Sequence, residues 1–330
     1  MFLLFSLNLN AQIIAPISFT NTDFSSANTH VNMVVEDSLN NRLYYQTSCI
    51  CGVGPGNVFS GLSYVNLITN QTYSPVLQYN PYGVHMVSKQ MQYGNNGISI
   101  NDRDYFRRYN VPAFSAAWTY SPAASQTVLV SAMRNDSVFT ITDDGSNCQI
   151  LEIRNRNTGI IIPFNSINCS TLLNGYITGN IISAKVQGNK LYLAGCFYVW
   201  DQLGNYLPSE DNITSINLSN GQISQLNFQV NDTIKDLEFY NGKIHIAGNF
   251  TSAKSQTRNH YAVFDLAGNL QTNSASFDNN VEEIEVYDYF LFAVGQFTTI
   301  NSTAVSPGGF PILKAINLKT NSIMNWNMQF

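Results

Sequence analysis

The sequence predicts an all-β fold of the β-propeller class, built from four-stranded antiparallel blades. Composition is the first observation: 44% of the residues are hydrophobic and only 11% are charged, against roughly 25% charged in an average soluble domain. Asn and Gly favour turns, while Tyr, Phe, Val, Ile and Thr favour strands, so few helices are expected. The other two observations are a repeated strand that ends in Gly-x-Phe and a repeated hairpin signal that follows it. Four antiparallel strands that recur about every 50 residues are typical of propeller blades.

The strand that ends in Gly-x-Phe occurs three times, and its copies are 53 and then 47 residues apart (250 − 197 and 297 − 250). The residues concerned are Gly195 with Phe197, Gly248 with Phe250, and Gly295 with Phe297. A glycine has no Cβ and lets another backbone approach closely, so we expect second strands of neighbouring blades to converge there. We expect each Phe to fill the space between blade faces, where its burial contributes roughly 2–3 kcal/mol.

The hairpin signal has a polar residue between two apolar ones, followed by a short turn that contains Gly or Asn. The polar residues are Asn217, Asp265 and Asn317, and Asn66 fits the same frame 151 residues before Asn217. Such turns join antiparallel strands. The third and fourth strands of each blade are therefore expected on either side of these positions.

Together these patterns predict one propeller domain over residues 12–330 with six visible blades. The expected blade limits are about 30–80, 84–126, 127–180, 181–233, 234–280 and 281–330. The last three follow from the repeats, and the first three from the period. A seventh blade beyond Phe330 stays open, because the chain stops where the two preceding repeats lead into a new blade.

The series of Gly-x-Phe, apolar-Asn/Asp-Leu and Gly turn resembles the delta-60 repeat of bacterial β-propellers. The resemblance covers residues 181–330 and is weak over 30–180. It departs from the repeat at the residue before the glycine, which is Ala194, Ala247 or Val294, and the usual Arg of the third strand is absent. The resemblance, together with an Asn-rich composition similar to that of secreted Bacteroidetes proteins, implies an exported propeller without catalytic residues to carry over.

The first residues predict export. Residues 1–9 are mostly apolar and lead into Leu9-Asn10-Ala11-Gln12, which is typical of the end of a signal peptide cleaved after Ala11. The basic segment that normally opens a signal peptide is missing, which indicates a truncated start; a buried first strand is the alternative. No run of residues is long and apolar enough to span a membrane. A secreted or cell-surface protein is expected.

Charge and motifs restrict the function. The net charge is −5 and the 16 Lys and Arg do not cluster, which argues against a nucleic-acid partner. Four His, without a spaced set of ligands, predict neither a metal site nor a cofactor. No nucleophile elbow or phosphate loop is present. We therefore expect a monomeric, non-enzymatic binding module.

The best candidate for recognition is the loop from Tyr198 to Asp211, a long connection within its blade. It combines aromatic and acidic residues, a pairing that suits sugars or cationic groups. The candidate ligand-binding residues are Trp200, Asp201, Tyr206, Glu210 and Asp211. The bound partner, a protein or a glycan, stays open, and Trp200 packed on its own blade is the structural alternative.

A propeller-fold carbohydrate-active enzyme is the second hypothesis. Glycosidases use two carboxylates, and Glu283 and Glu285 share one face of a predicted strand. That hypothesis requires Asp or Glu side chains to converge near the centre of the propeller. Ordinary solvated charges are the alternative.

Overall fold

The computed structural model describes most of the chain, whose strands form six antiparallel β-sheets of three or four strands and two small two-stranded sheets. The described residues are 29–37, 42–50, 58–66, 69, 72–80, 88–94, 97–102, 105–110, 115–120, 127–143, 149–164, 175–272, 275–287, 289–305 and 312–324. None of the helices in these ranges has the length and apolar character that a membrane span requires.

The first three sheets have four strands each and follow one another along the chain. Sheet 1 contains β1 (Thr29–Asp37), β2 (Arg42–Ile50), β3 (Val58–Asn66) and β4 (Thr72–Asn80). Sheet 2 contains β5 (Ser88–Gly94), β6 (Gly97–Asp102), β7 (Tyr105–Asn110) and β8 (Ser115–Tyr120). Sheet 3 contains β9 (Thr127–Arg134), β10 (Ser137–Asp143), β11 (Gln149–Asn155) and β12 (Ile161–Ile162).

The last three sheets contain the clear sequence repeats. Sheet 4 contains β13 (Tyr176–Gln187), β14 (Lys190–Trp200), β15 (Ile213–Asn217) and β16 (Ile223–Ser224), with a short 3₁₀ helix at Pro208–Glu210. Sheet 5 contains β17 (Ile234–Tyr240), β18 (Lys243–Gly248) and β21 (Tyr261–Asp265), and the hairpin β19 (Ser252–Ala253) and β20 (Gln256–Thr257) is inserted before β21. Sheet 6 contains β22 (Val281–Tyr287), β23 (Phe290–Gly295), β26 (Ile312–Asn317) and β27 (Ser322–Ile323), with the inserted hairpin β24 (Thr299–Ile300) and β25 (Thr303–Ala304).

Sheet 5 departs from the expected four strands. Its fourth strand is reduced to a single bridge between Phe264 and Leu270.

By their internal contacts, sheets 1 and 2 lie in one compact unit and sheets 3 to 6 in a second. The single domain over 12–330 and the seventh blade stay predictions. So does the cleaved segment 1–11, which lies outside the described residues.

One irregularity recurs in the first strand of all six sheets. Each of these strands carries a β-bulge, an extra residue without a partner on the second strand. The bulged positions are Asn32, Lys89, Leu129, Ile182, Lys235 and Glu282. Sheets 1 to 3, whose sequences show little repeat, therefore share a detailed backbone feature with sheets 4 to 6.

The bulge accounts for the glycine of Gly-x-Phe. In sheet 5, Gly248 pairs with Ile234, directly before the bulge. A Cβ atom on Gly248 would lie 2.3 Å from the Thr233 carbonyl oxygen, well inside any normal contact. The equivalent approaches are 2.1 Å at Gly195 and 2.3 Å at Gly295. The approaching backbone is thus the first strand of the same sheet, whereas the sequence suggested a neighbouring blade.

Three apolar layers form the core of the second unit, each between two successive sheets. Phe197 lies in the layer between sheets 3 and 4, Phe250 between sheets 4 and 5, and Phe297 between sheets 5 and 6. All three are almost completely buried. The layers also use aromatic contacts, such as the 4.7 Å between the ring centroids of Phe277 and Phe297.

The repeated Asn and Asp residues close the turn between the last two strands. Asn217 Oδ1 accepts a hydrogen bond from the Ser219 N–H at 2.8 Å. Asp265 and Asn317 accept equivalent bonds from the backbone two residues later, both at 2.9 Å. A side-chain oxygen that bonds its own backbone two residues on defines an Asx turn. Their recurrence follows from turn chemistry.

Candidate ligand-binding surface

The first hairpin of sheet 4 extends beyond those of the following sheets. Strands β13 and β14 have 12 and 11 residues, whereas β17 and β18 have 7 and 6. On one side of the extension, Ile177, Phe197 and Val199 are buried in the core. Because side chains alternate along a strand, the other side faces away from that core.

That outer side carries a group of aromatic rings. We use the term aromatic face for Tyr176, Tyr198, Trp200 and Tyr206. Tyr198 is 57% exposed and Tyr206 47% exposed, whereas Trp200 is half-buried. Trp200 stacks on its cross-strand partner Tyr176 with 4.9 Å between centroids and 5° between planes. Trp200 therefore packs on its own sheet, as the structural alternative held, while two tyrosines beside it stay open to solvent.

The rings of the aromatic face contact one another directly. The centroid of Tyr198 lies 6.2 Å from those of Trp200 and Tyr206, and Trp200 lies 5.6 Å from Tyr206. These separations are within the usual 4.5–7 Å range for aromatic pairs. The rings thus form a continuous surface without a gap between them.

Asp211 fixes the position of Tyr206. The Tyr206 hydroxyl donates a hydrogen bond to Asp211 Oδ2, and the Val199 N–H donates to Oδ1 at 3.2 Å. Burial raises the pKa of Asp211, although both hydrogen bonds oppose this. The hydrogen bond to Asp211 raises the pKa of Tyr206 to about 12. Asp211 therefore orients an aromatic ring.

Asp201 shapes the turn that presents Tyr206. Its Oδ1 accepts hydrogen bonds from the backbone N–H groups of Leu203 and Asn205, both at 2.8 Å. Its Oδ2 accepts one from the Asn205 side chain at 2.9 Å. The hydrogen bond from that amide lowers the pKa of Asp201. The carboxylate is occupied by the turn, which leaves the rings as the contact groups of this loop.

Glu210 does not belong to the surface, contrary to the sequence expectation. It is 0% exposed, and its carboxylate accepts a hydrogen bond from the Asn227 N–H in the connection to sheet 5. Burial raises its pKa to about 7. The short 3₁₀ helix turns Glu210 inwards, where it links sheet 4 to the following connection. The sequence could not show that Glu210 points inwards, because residues in a loop have no regular alternation of buried and exposed positions.

A second polar group lies along the first strands of sheets 4, 5 and 6. We call Asp236, Glu238, Glu283 and Glu285 the carboxylate cluster; Lys185 on β13 is the cation among them. The Lys185 ammonium forms an ion pair with Glu238. Asp236 accepts hydrogen bonds from Ser183 Oγ at 3.0 Å and from the Ile284 N–H at 3.1 Å. The cluster thus ties three adjacent first strands together.

Protons stay on this cluster above the usual carboxylate range. Burial, reinforced by the neighbouring carboxylates and opposed by Lys185, raises the pKa of Glu238 to about 8 and that of Glu283 to about 7. Burial and the charge of Asp236 raise the pKa of Glu285, against the effect of Lys185. Burial raises the pKa of Asp236. A single ammonium group cannot balance the charge of four carboxylates, so the carboxylate cluster loses its protons at a higher pH than isolated carboxyl groups do.

This predicts that the carboxylate cluster stabilises the fold more at pH 5 than at pH 8. The unfolded chain releases carboxyl protons near pH 4.5, whereas the folded cluster holds some of them up to pH 7–8. The contribution of the cluster to stability must then fall as the pH rises through that window. Guanidinium unfolding at both pH values measures the difference. Glu283→Gln should reduce this difference; a variant whose stability still changes with pH as much as that of the wild type would contradict the assignment.

His245 has a structural position. It is 3% exposed, and its Nδ1 lies 2.6 Å from the Tyr261 hydroxyl. Burial lowers its pKa to about 4. Within the described ranges, no three His, Cys, Asp or Glu side chains are arranged to hold a metal ion.

Comparison with solved structures places this geometry in a known architecture. The chain is similar to the CNH domain of AfRom2, with a TM-score of 0.51 and 10% identity over 90% of this chain and 84% of that one. Its TM-score with the WD40 domain of Neurospora crassa Pan2 is 0.51, with 11% identity over 92% of this chain and 79% of that one. The chain folds as a β-propeller. This confirms the predicted fold class; at such identities the likeness extends to the fold alone. No protein-family model and no curated protein matches the sequence.

Proposed function

We propose that this β-propeller is an exported, non-catalytic binding module and that the aromatic face is its contact surface. One observation carries the proposal: Tyr198, on a hairpin that is longer than its counterparts, and Tyr206, in the turn that follows it, are exposed side by side. Clustered exposed aromatic rings on a soluble domain mark interaction sites. Their rigid side chains lose little conformational entropy when a ligand covers them.

Two features of the surroundings support this surface. The Asp201 turn holds the residue before Tyr206, so the loop is ordered by its own hydrogen bonds. The opposite side of the hairpin is anchored in the core through Phe197 and Val199. A surface that is already fixed in shape binds with a smaller ordering cost.

Export is the second part of the proposal. It is supported by the apolar start of the chain and by the Leu9-Asn10-Ala11-Gln12 sequence, as well as by the resemblance to delta-60 repeats. Secretion predicts that the exported protein begins at Gln12. Amino-terminal sequencing of the protein from the culture medium tests this, and a secreted product that still carries residues 1–11 contradicts it.

A hydrolase remains the alternative, because carboxylates do converge on the first strands of sheets 5 and 6. Their contacts favour a structural role: Asp236 accepts hydrogen bonds from Ser183 and Ile284, and Glu238 pairs with Lys185. Asp236 and Glu238 thus hold adjacent first strands together. A binding module is therefore the function that the geometry supports best.

The test of the binding module uses an array that displays glycans and purified extracellular proteins. We expect the wild-type chain to bind at least one class of ligand, and the double variant Tyr198→Ser, Tyr206→Ser to lose that binding while keeping its melting temperature. Bound ligand should be recovered unchanged. Binding that survives both substitutions would contradict the aromatic face as contact surface, and shortened glycan products would favour the hydrolase.

A further inference from the structure

The arrangement of the rings limits what can bind to the aromatic face. An ammonium group enclosed by aromatic side chains needs rings that stand apart around it, each within about 6 Å of the cation. Here the centroids of Tyr198, Trp200 and Tyr206 are only 5.6–6.2 Å from one another. Rings at these separations contact one another, and a ligand reaches them at Tyr198 and Tyr206, the two most exposed of the rings.

The charges of the loop limit the ligand further. Both oxygens of Asp201 are taken up by the turn, and those of Asp211 by Tyr206 and Val199. A cationic group would therefore have to share these oxygens with the contacts that hold the turn and Tyr206 in place. The segment from Tyr198 to Asn212 contains no Lys or Arg, so it offers no partner for a carboxylate or sulfate. The surface thus lacks a group that would bind an anion, and its two carboxylates already support the loop.

The outer side of the hairpin also supplies neutral polar groups. Along β14, Cys196 and Tyr198 point to the same side, and their cross-strand partners are Asn180 and Thr178. Cys196 and Asn180 are exposed. From Cys196 to Trp200 this row is about 13 Å long, at about 3.3 Å per residue. An elongated ligand can therefore cover the rings at one end and reach amide and hydroxyl groups at the other.

We propose that the aromatic face binds a neutral glycan, an oligosaccharide without carboxylate, sulfate or amino groups. This rests on the proposed binding function and names its ligand. A sugar ring has an apolar C–H face that can lie on a tyrosine ring, and hydroxyl groups around its edge. Those hydroxyl groups find donors and acceptors in the Asn180 amide, the Thr178 hydroxyl and the tyrosine hydroxyls. A protein partner would instead rely on Leu203, the most exposed apolar side chain of the loop.

The experiment titrates the full chain with hexasaccharides of glucose, xylose and mannose, and with oligogalacturonate and chitosan oligomers as acidic and basic counterparts. Calorimetry measures the affinity, and tryptophan fluorescence reports changes near Trp200. We expect at least one neutral hexasaccharide to bind and both charged oligomers to bind at least tenfold more weakly. Tighter binding of a charged oligomer, or no binding of any neutral one, would overturn the proposal.

Three variants locate the site. Tyr198→Ala should weaken binding by about tenfold or more, because truncation removes an anchor ring, whereas Tyr198→Phe keeps the ring and should stay within about threefold. Leu203→Ala is the matched control and should bind as the wild type does. Equal losses in Leu203→Ala and Tyr198→Ala would point to apolar docking and reject the glycan.

The two proposals fail in different ways. If the array detects a protein ligand that depends on Tyr198 and Tyr206, while no neutral glycan binds, the binding function stands and the glycan is wrong. If glycans bind equally well to the wild type and to Tyr198→Ala, both the contact surface and this inference are wrong. Melting temperatures of all variants show whether an exposed substitution has disturbed the fold.

Discussion

Phe250→Ala is expected to lower the free energy of unfolding by about 3–5 kcal/mol, the usual cost of truncating a buried Phe. Phe250 is completely buried in the apolar layer between sheets 4 and 5. Its removal leaves a cavity that strands on both sides, held by their own hydrogen bonds, can close only in part. Guanidinium unfolding followed by circular dichroism measures the loss.

The control for this prediction lies in the same unit. Phe297 has the equivalent position between sheets 5 and 6, so Phe297→Ala should cost a similar amount. Leu203→Ala, a substitution on the surface, should stay within about 0.5 kcal/mol. A loss below about 1 kcal/mol at both Phe positions would show that the layers between sheets do not stabilise the propeller.

Gly248→Ala is expected to cost about 3 kcal/mol, the upper end of the range for an overfilled core. The added methyl group would meet the Thr233 carbonyl oxygen at 2.3 Å. That oxygen belongs to the backbone beside the bulge and cannot rotate away, so the first strand itself must move. The same unfolding experiment measures the loss.

Gly242→Asn is the matched control in the same hairpin. No atom lies within 4 Å of a Cβ placed on Gly242, whose φ is +70°, and Asn tolerates that conformation. Its effect should stay within about 0.5 kcal/mol. If Gly248→Ala were equally mild, the close approach at the bulge would be relieved more easily than its geometry implies.

The fold could be predicted from the sequence because residues of the same type recur at a regular spacing and have the same structural role in each repeat. Phe197, Phe250 and Phe297 mark the layers between sheets. Asn217 and Asp265 mark the turns, since only a short polar side chain closes them in this way. The bulges were not predicted, because the bulged residues range from Leu129 to Lys235 and Glu282 and share no side-chain property.

The candidate surface was predictable only in part. Trp200 and Tyr206 were identified because they share the loop that begins at Tyr198, but Tyr176 becomes part of the surface only through the pairing of β13 with β14. Glu210 was misplaced, since a three-residue 3₁₀ helix turns it inwards. The carboxylate cluster depends on residues from three sheets, such as Lys185 and Glu238, and no local pattern brings these together.

The recurring bulge also shifts the phase of the inward-facing positions along the first strands of sheets 4 to 6. In sheet 5, Ile234 and Leu237 are both buried although they are three residues apart, and the same interval separates Ile181 from Ala184. A sequence search for strict alternation of apolar and polar residues fails at the bulge and treats the strand as two short segments. A template that places an apolar-x-x-apolar stretch about 14 residues before Gly-x-Phe follows the actual backbone. Distant copies of this repeat in other chains should be recognised more readily by that interval than by their alternation.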